Sequence, residues 1–167
     1  ATARFASLVI KVGERQSMQV ECGRIARMHA LCAANAAIAA RVRLPLGFIG
    51  RSAPMVVSEM WPGRSLAQLC ACDKSLRLTV RKLLHEQMRP VLDAMERADF
   101  FHCDLHGGNV MVDDKLENAW LIDCEGVLTS NDGPDTLTRD TRSEAMSHTD
   151  ALRAMSRQQW ESLCKLF

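Results

Sequence analysis

A set of polar residues interrupts two short apolar stretches in the second half of the chain. FFHCDLHGGNVMV carries His102, Asp104 and Asn109, and AWLIDCEG, a few residues later, carries Asp123. The segments NVMV and AWLID predict two strands, and the polar DDKLEN between them predicts the turn of a hairpin. Such a hairpin would bring Asp104, Asn109 and Asp123 together. Two carboxylates and an amide can orient a hydroxyl group and bind one or two hard metal ions, which is the arrangement that phosphoryl transfer needs.

Strand and helix patterns in the rest of the chain indicate the elements that would position these residues. Three stretches rich in β-branched and apolar residues predict strands: FASLVIKV, LPLGFIG and PMVVSEMWPGRSL. Apolar residues at helical spacing predict one long helix or two abutting helices over residues 16–40, and further helices over 65–72, 75–98 and 148–167. Pro90 is expected to kink the helix that contains it. The polar stretch LTSNDGPDTLTRDTRS has no core pattern and predicts a loop.

Length, composition and charge limit the classes of protein to be considered. The 167 residues, 47% of them hydrophobic and 25% charged, fit one globular domain. A net charge of +1 gives no general attraction to nucleic acid or to an anionic membrane, so no nucleic-acid partner is expected. No apolar run approaches the roughly 18–20 residues that span a bilayer, and no secretory signal peptide is recognisable. The chain begins almost directly in the first predicted strand, which leaves room for a preceding segment in the natural protein.

The cysteine pattern argues against disulfides and against zinc. The chain has seven cysteines, an odd number, and most lie in apolar segments rather than in a loop-rich framework. Cys70 and Cys72 are separated by one residue, whereas zinc and redox motifs usually have two. We therefore predict reduced thiols and no zinc site.

The polar motifs resemble those of a known superfamily. HCDLHGGN resembles the catalytic loop of the protein-kinase-like phosphotransferases, a His-x-Asp followed by Asn five positions after the Asp. LIDCEG resembles their metal-binding Asp-Phe-Gly segment. The resemblance implies that Asp104 is the catalytic base that orients the acceptor hydroxyl, that Asn109 and Asp123 hold Mg²⁺, and that His102 braces the loop.

The first half of the chain extends the resemblance to the nucleotide site. Lys11, in VIKV, resembles the strand lysine that contacts the α- and β-phosphates of ATP, and Glu21 resembles its ion-pair partner. The backbone near Glu59 and Met60, in VVSEMWPGRSL, resembles the hinge that reads adenine. The implied cofactors are ATP and Mg²⁺.

The fold that the resemblance implies is an α+β, two-lobed, protein-kinase-like domain of minimal size spanning residues 1–167. Residues 1–60 would form an N-lobe with a small sheet, and residues 61–167 would form a reduced helical C-lobe. The Gly-x-Gly-x-x-Gly loop that covers the phosphates in protein kinases does not precede Lys11. Cys124 and Glu125 replace the Phe and Gly of the metal segment, which is closer to the Asp-x-Glu form of aminoglycoside and choline kinase-like enzymes.

Several of these residues have simpler alternative roles. Lys11 could be a solvated lysine on an edge strand, and Glu14 lies near enough to compete with Glu21 as the partner of that lysine. His102 could be a packed core histidine, and the acidic residues and Asn109 could be helix caps or turn residues. His106 could be a solvated loop residue.

The shortness of the chain decides which relatives are favoured. The stretch between Glu59 and Asp104 is too short for extra acceptor-binding helices, and the residues after Gly126 are too few for an activation segment and a full lower lobe. This brevity resembles the minimal type III secretion effector kinases of pathogenic bacteria. That resemblance implies a monomeric Ser/Thr protein kinase that is secreted into the host cytoplasm, or is otherwise cytoplasmic, and has a host protein as substrate or activator. A small-molecule phosphotransferase and a catalytically weak kinase-like binding module remain alternatives.

Overall fold

The computed structural model of the chain describes residues 8–12, 15–49, 55–60, 63–72, 74–133 and 146–167. The helices are α1 Arg15–Ala34, α2 Ala36–Ala39, α3 Leu66–Cys72, α4 Arg77–Leu83, α5 Arg89–Arg97 and α6 His148–Cys164. The strands are β1 Leu8–Val12, β2 Gly47–Ile49, β3 Met55–Glu59, β4 Arg64–Ser65, β5 Phe101–His102, β6 Val110–Val112, β7 Ala119–Leu121 and β8 Val127–Leu128. The mixture of helices with small antiparallel sheets confirms the α+β class.

The first sheet and α1 form one packed unit. The strands lie antiparallel in the order β1-β3-β2, and Lys11 on β1 is opposite Val56 on β3. Val56 is buried against Met18 and Ile25 of α1. This packing fixes α1 against the strand next to β1, and so sets the distance between side chains of β1 and α1.

The long helical stretch after β1 is two abutting helices, one of the two arrangements predicted. Asn35 separates α1 from α2 and has extended backbone angles. Its side-chain oxygen accepts hydrogen bonds from the backbone N–H groups of Ala37 and Ile38. Asn is favoured at such a cap because its side chain satisfies N–H groups that have no partner within the helix.

A second sheet carries the predicted hairpin. Its strands are antiparallel in the order β4-β6-β7, and the β6–β7 pair matches NVMV and AWLID. A parallel bridge between Val42 and Leu121 joins this sheet to the segment after α2. There the Arg43 N–H donates to the Leu121 carbonyl at 2.8 Å, and the Leu121 N–H donates to the Arg41 carbonyl at 2.8 Å. The hairpin is therefore hydrogen-bonded to the polypeptide that leads into the first sheet.

The stretch LTSNDGPDTLTRDTRS does not begin as a loop, so the loop prediction is wrong for its first residue, Leu128. Val127 and Leu128 form β8, which pairs with β5 immediately before the HCDLHGGN loop. Leu128 is buried with Phe101 and Leu152, the latter from α6. A two-residue strand has too little periodicity to be recognised in a sequence. Residues 134–143 of the same stretch lie outside the described residues.

The helical pattern over residues 75–98 is interrupted where Pro90 predicted a kink. A π-helical turn, Leu84–Met88, connects α4 to α5. The Arg89 N–H donates to the Leu84 carbonyl, five residues back, instead of four. Pro90 has no N–H to donate, which removes one bond of the regular ladder at this point.

The π turn presents Gln87 to the hairpin. Its side-chain carbonyl accepts from the Ala119 N–H at 3.0 Å, and its amide donates to the Glu117 carbonyl at 2.7 Å. Ala119 is fully buried at the start of β7. Gln87 thus satisfies a backbone donor that has no access to water.

The main core lies between the helices and the hairpin. Its fully buried members include Met28, Ile38, Leu66, Val80, Leu84, Met95, Val110, Val112 and Ala119. Among the described residues, no helix is both long enough and apolar enough to cross a membrane. The boundary between two lobes at residue 60 stays a prediction.

Gln87→Ala should lower the free energy of unfolding by about 1–3 kcal/mol, because the buried Ala119 N–H would lose its acceptor. Urea denaturation followed by circular dichroism measures this. Glu86→Ala is the matched control, since Glu86 is exposed in the same turn, and it should change stability by no more than about 0.5 kcal/mol. Equal effects of the two substitutions would contradict the role given to Gln87.

Candidate active site

A cavity of about 320 Å³ lies between the first sheet, α1 and the end of the hairpin. Lys11, Glu59, Met60 and Asp123 are all in its walls. The remaining lining residues are Val9, Glu21, Ile25, Arg43, Leu44, Pro45, Val56, Ser58, Met111, Ile122 and Cys124. The lining is mostly apolar with charged groups at a few positions, which is typical of small-ligand and cofactor sites.

Lys11 and Glu21 form an ion pair in one wall of the cavity. The Lys11 Nζ lies 3.3 Å from a Glu21 carboxylate oxygen. The Glu21 side chain is 8% exposed, whereas that of Lys11 is 44% exposed. The buried carboxylate is held by helix packing, so it can fix the ammonium at the cavity surface, where a phosphate would meet it. The structure thus brings together the two residues that the resemblance paired.

Asp104 contacts its own loop and the segment after the hairpin. The side-chain amide of Asn109 donates to the Asp104 backbone carbonyl at 2.9 Å and to its carboxylate at 3.2 Å. A Cβ atom on Gly126 would lie 2.5 Å from the Cβ of Asp104. Only glycine allows so close an approach, and Gly126 is therefore needed beside the proposed base. The Asp104 carboxylate remains 50% exposed.

Asn109 lies opposite Ile122 in the hairpin, and Asp123 is the next residue along that opposite segment. The Ile122 N–H donates to the Asn109 carbonyl at 2.9 Å, which extends the β6–β7 ladder beyond the last strand residues. Asp123 comes next, with φ 56° and ψ 70°. This left-handed conformation is uncommon for a residue other than glycine. It turns the chain into the 3₁₀ turn Cys124–Gly126 and leaves the Asp123 side chain exposed in the cavity wall.

The donors present at this position suit a hard cation. Because the Asn109 amide nitrogen is used by Asp104, its side-chain oxygen is the atom left for a metal ion. The Asp123 carboxylate is the other oxygen donor predicted for that ion. Within the described ranges, no three His, Cys, Asp or Glu side chains group closely enough to form a metal site. Mg²⁺ is commonly bound by one or two protein oxygens together with phosphate oxygens and water, which fits these two residues.

His102 lies in the interior at the start of the loop. Its side chain is 1% exposed, and burial lowers its pKa from 6.5 to about 4. The Asp104 charge and the backbone of Ile122 oppose that lowering only in part. Neither ring nitrogen has a hydrogen-bond partner among the described residues, so packing alone holds the imidazole in place. The burial agrees with the packed core histidine that was one of the two predicted roles, and the bracing role stays a prediction.

His106 is exposed, as a solvated loop residue would be, but its ring orientation is fixed. The Gly108 N–H donates to its Nδ1 at 3.0 Å. With Nδ1 as acceptor, the proton of the neutral ring lies on Nε2. That nitrogen is 3.8 Å from the Asp104 carboxylate.

Two features of the site carry no signal in the sequence. Arg43 lines the cavity, and its guanidinium lies 5.1 Å from the centre of the Trp120 ring. Arg27 on α1 pairs with the Asp132 carboxylate at 2.9 and 3.0 Å, and Asp132 also accepts from the Thr129 N–H. The Arg27–Asp132 ion pair connects α1, the helix that carries Glu21, to the segment after Gly126. Neither arginine falls in a recognisable motif, so sequence reasoning missed both.

Five cysteines are free thiols, as predicted: Cys22, Cys32, Cys103, Cys124 and Cys164. Burial raises the pKa of Cys103 to about 12 and raises that of Cys124 further. Both thiols are therefore protonated and unreactive at neutral pH.

The buried His102 predicts a loss of stability in acid. The folded pKa of about 4 lies below the unfolded value of 6.5, so the unfolded state binds more protons between these values. Stability should be complete above about pH 6.5 and should fall as the pH drops towards 4, by about 3 kcal/mol from this residue. Urea denaturation at several pH values should show a smaller acid loss for His102→Phe.

Direct titration provides the control for that experiment. Nuclear magnetic resonance should show one of the five histidines titrating near pH 4, with that signal absent in His102→Phe. Titration of this signal near pH 6.5 would show that the ring is not buried as described.

The chain was compared with protein families and with curated proteins. The family described as the ABC1 atypical kinase-like domain matches residues 18–137, well over half of the chain. The match includes all the predicted site residues except Lys11 and leaves out α6. It supports the protein-kinase-like resemblance at the level of the superfamily, and it gives no support to the narrower resemblance to secreted effector kinases. The search of curated proteins found no significant match. The chain belongs to the ABC1 atypical kinase-like domain family.

Proposed function

We propose that this kinase-like domain is an ATP- and Mg²⁺-dependent phosphotransferase that transfers the γ-phosphoryl group to a hydroxyl. The observation that carries the proposal is one cavity that has the Lys11–Glu21 ion pair in one wall and Asp123 in another. A cation and a metal-binding carboxylate facing the same space are what a nucleoside triphosphate with its metal ion requires.

The proposed nucleotide position follows from the cavity lining. The base would lie between β1 and Met111, with the backbone of Glu59 and Met60 at its edge. Lys11 would contact the phosphates, and its ammonium would compensate charge there. Asn109 and Asp123 would hold Mg²⁺, which when bound neutralises charge on the phosphate oxygens. Asp104 would accept a hydrogen bond from the acceptor hydroxyl and orient it for in-line attack.

The proposed acceptor is a serine or threonine of another protein. In support, Asp104 is half exposed and the neighbouring His106 is 57% exposed, so the loop faces solvent rather than an enclosed pocket. A folded protein could supply the missing walls from its own surface. Secretion into a host cell, and a host protein as substrate or activator, stay predictions of the resemblance to effector kinases, which the family match does not support.

Asp123→Ala should abolish Mg²⁺-dependent binding of ATP while leaving the fold intact, because an exposed carboxylate is not part of the core. Isothermal titration calorimetry with ATP, with and without Mg²⁺, measures the affinity. Asp114→Ala is the matched control, since this carboxylate is 84% exposed in the hairpin turn and outside the cavity lining. Wild-type affinity in Asp123→Ala would remove the metal-binding assignment.

Incubation with labelled ATP and Mg²⁺ tests the reaction and the class of acceptor. We expect label on one or a few proteins of a cell lysate and none on aminoglycosides or choline. Lys11→Ala should reduce labelling by about 100-fold or more with little change in melting temperature. Lys82→Ala, at an exposed lysine on α4, should have no effect.

The other outcomes separate the alternatives. Turnover of a small alcohol without labelled protein would favour the small-molecule phosphotransferase. ATP binding without any turnover would favour a catalytically weak binding module. If the activity of Lys11→Ala is within a few-fold of wild type, Lys11 is only a solvated lysine of strand β1 and does not act in the reaction.

A further inference from the structure

We propose that Gln159, on α6, is a positioning residue that fixes the backbone on both sides of Asp104 and so sets the rate of phosphoryl transfer. The Gln159 side-chain carbonyl accepts from the Leu105 N–H at 2.8 Å. Its side-chain amide donates to the Cys103 carbonyl at 2.9 Å. This inference rests on the proposed function, because it assigns Asp104 the role of orienting the acceptor.

The chemistry of the contact requires an amide side chain. The loop presents one backbone donor and one backbone acceptor, at the two residues that flank Asp104. Only Asn and Gln have a carbonyl and an NH₂ group in one rigid plane, and so can satisfy both. Cys103 is half-buried and Leu105 is buried, so water would replace these hydrogen bonds poorly.

The position of Gln159 on α6 is unusual for a polar residue. Leu152 and Leu163 are buried on this helix, and Gln159 lies between them, seven residues after the first and four before the second. That spacing places all three on the same side of the helix, where an apolar residue is expected. The amide is therefore held in a half-buried environment by packing on either side.

The helix that carries Gln159 is itself anchored to the elements around the loop. Arg153 donates to the Glu96 carboxylate of α5 at 2.6 Å. Leu152 packs with Phe101 of β5 and Leu128 of β8, the strands that enter and leave the site. With α6 fixed in this way, Gln159 holds the loop backbone from one side. Asn109 and Gly126 restrict Asp104 from the others.

The consequence for the reaction is a restricted position for the Asp104 carboxylate. A misplacement of about 1 Å in a reacting group can cost about 100-fold in rate without affecting the binding of a remote part of the substrate. Gln159 lies outside the cavity lining. Its loss should therefore affect turnover, not nucleotide affinity.

The test compares Gln159→Met, which keeps the length of the side chain but removes both hydrogen bonds, with Gln158→Met at the exposed neighbouring position. For Gln159→Met we expect kcat for the transfer of labelled phosphate from ATP to the labelled lysate protein to fall about 10- to 100-fold. The Kd for ATP in the presence of Mg²⁺ should change less than twofold. Exchange of the Leu105 amide hydrogen should be about tenfold faster or more than in wild type. Gln158→Met should match wild type in all three measurements.

Gln159→Glu separates the two hydrogen bonds. The carboxylate can still accept from the Leu105 N–H but cannot donate to the Cys103 carbonyl. We therefore expect Leu105 exchange near that of wild type and a kcat between those of wild type and Gln159→Met.

Three results are decisive against the proposals, and they can be told apart. A Gln159→Met enzyme with kcat within twofold of wild type would overturn the positioning role. A parallel fall in kcat, nucleotide affinity and unfolding midpoint would overturn it as well, because it would indicate general structural damage. A wild-type protein that neither binds nor turns over ATP would overturn the proposed function instead, and Leu105 exchange would then decide whether the Gln159 contact exists.

Discussion

The site depends on one hydrogen-bonded hairpin and on a single bond at its open end. The Ile122 N–H donates to the Asn109 carbonyl, one step beyond the paired strands β6 and β7. That bond sets the position of Asn109 at one end of the loop and of Asp123 on the opposite strand. The first of these residues is hydrogen-bonded to Asp104, and the second lies in the wall of the cavity.

The hairpin is positioned by buried contacts, whereas α1, on the other side of the cavity, is positioned in part by ion pairs. Val110, Val112, Ala119 and Leu121 are buried in the main core, and Gln87 supplies the acceptor that Ala119 needs. By contrast, α1 is connected to its surroundings through two ion pairs, Lys11–Glu21 and Arg27–Asp132, in addition to its apolar face. Partly exposed pairs of this kind contribute little net stability. Their role here is geometric, because they set where Glu21 and Lys11 lie relative to the cavity.

Several residues around the proposed catalytic loop have conformations or environments that do not favour folding. His102 is neutral because it is buried, Asp123 has a left-handed backbone, and Gly126 has no side chain because Asp104 occupies that space. Each is unfavourable or neutral as a contribution to folding. They persist because the packing around β5, β8 and α6 determines the backbone at these positions. Such local conflicts with folding preference are expected where a protein carries a functional site.

The amino-acid sequence by itself determined the strands and helices with strong periodicity and the residues proposed for catalysis and metal binding. His102, Asp104, Asn109 and Asp123 could be predicted because they lie within one hairpin and its entry loop, where spacing along the chain fixes proximity in space. Lys11 and Glu21 could be paired only through the resemblance to the superfamily, because their spacing along the chain left Glu14 as a competing partner. The assignment to the ABC1 family came from the pattern of a long stretch, residues 18–137, and not from any single motif.

Tertiary structure alone decided the contacts between distant segments. Gln159 meets Leu105 across 54 residues, and Arg27 meets Asp132 across 105. The two-residue strands β5 and β8 are strands only because they pair with each other. Periodicity encodes which face of an element is buried, but it does not encode which distant element covers that face. For that reason the sequence determined the chemistry of the site, whereas the packing of α1 and α6 decided how its residues are held.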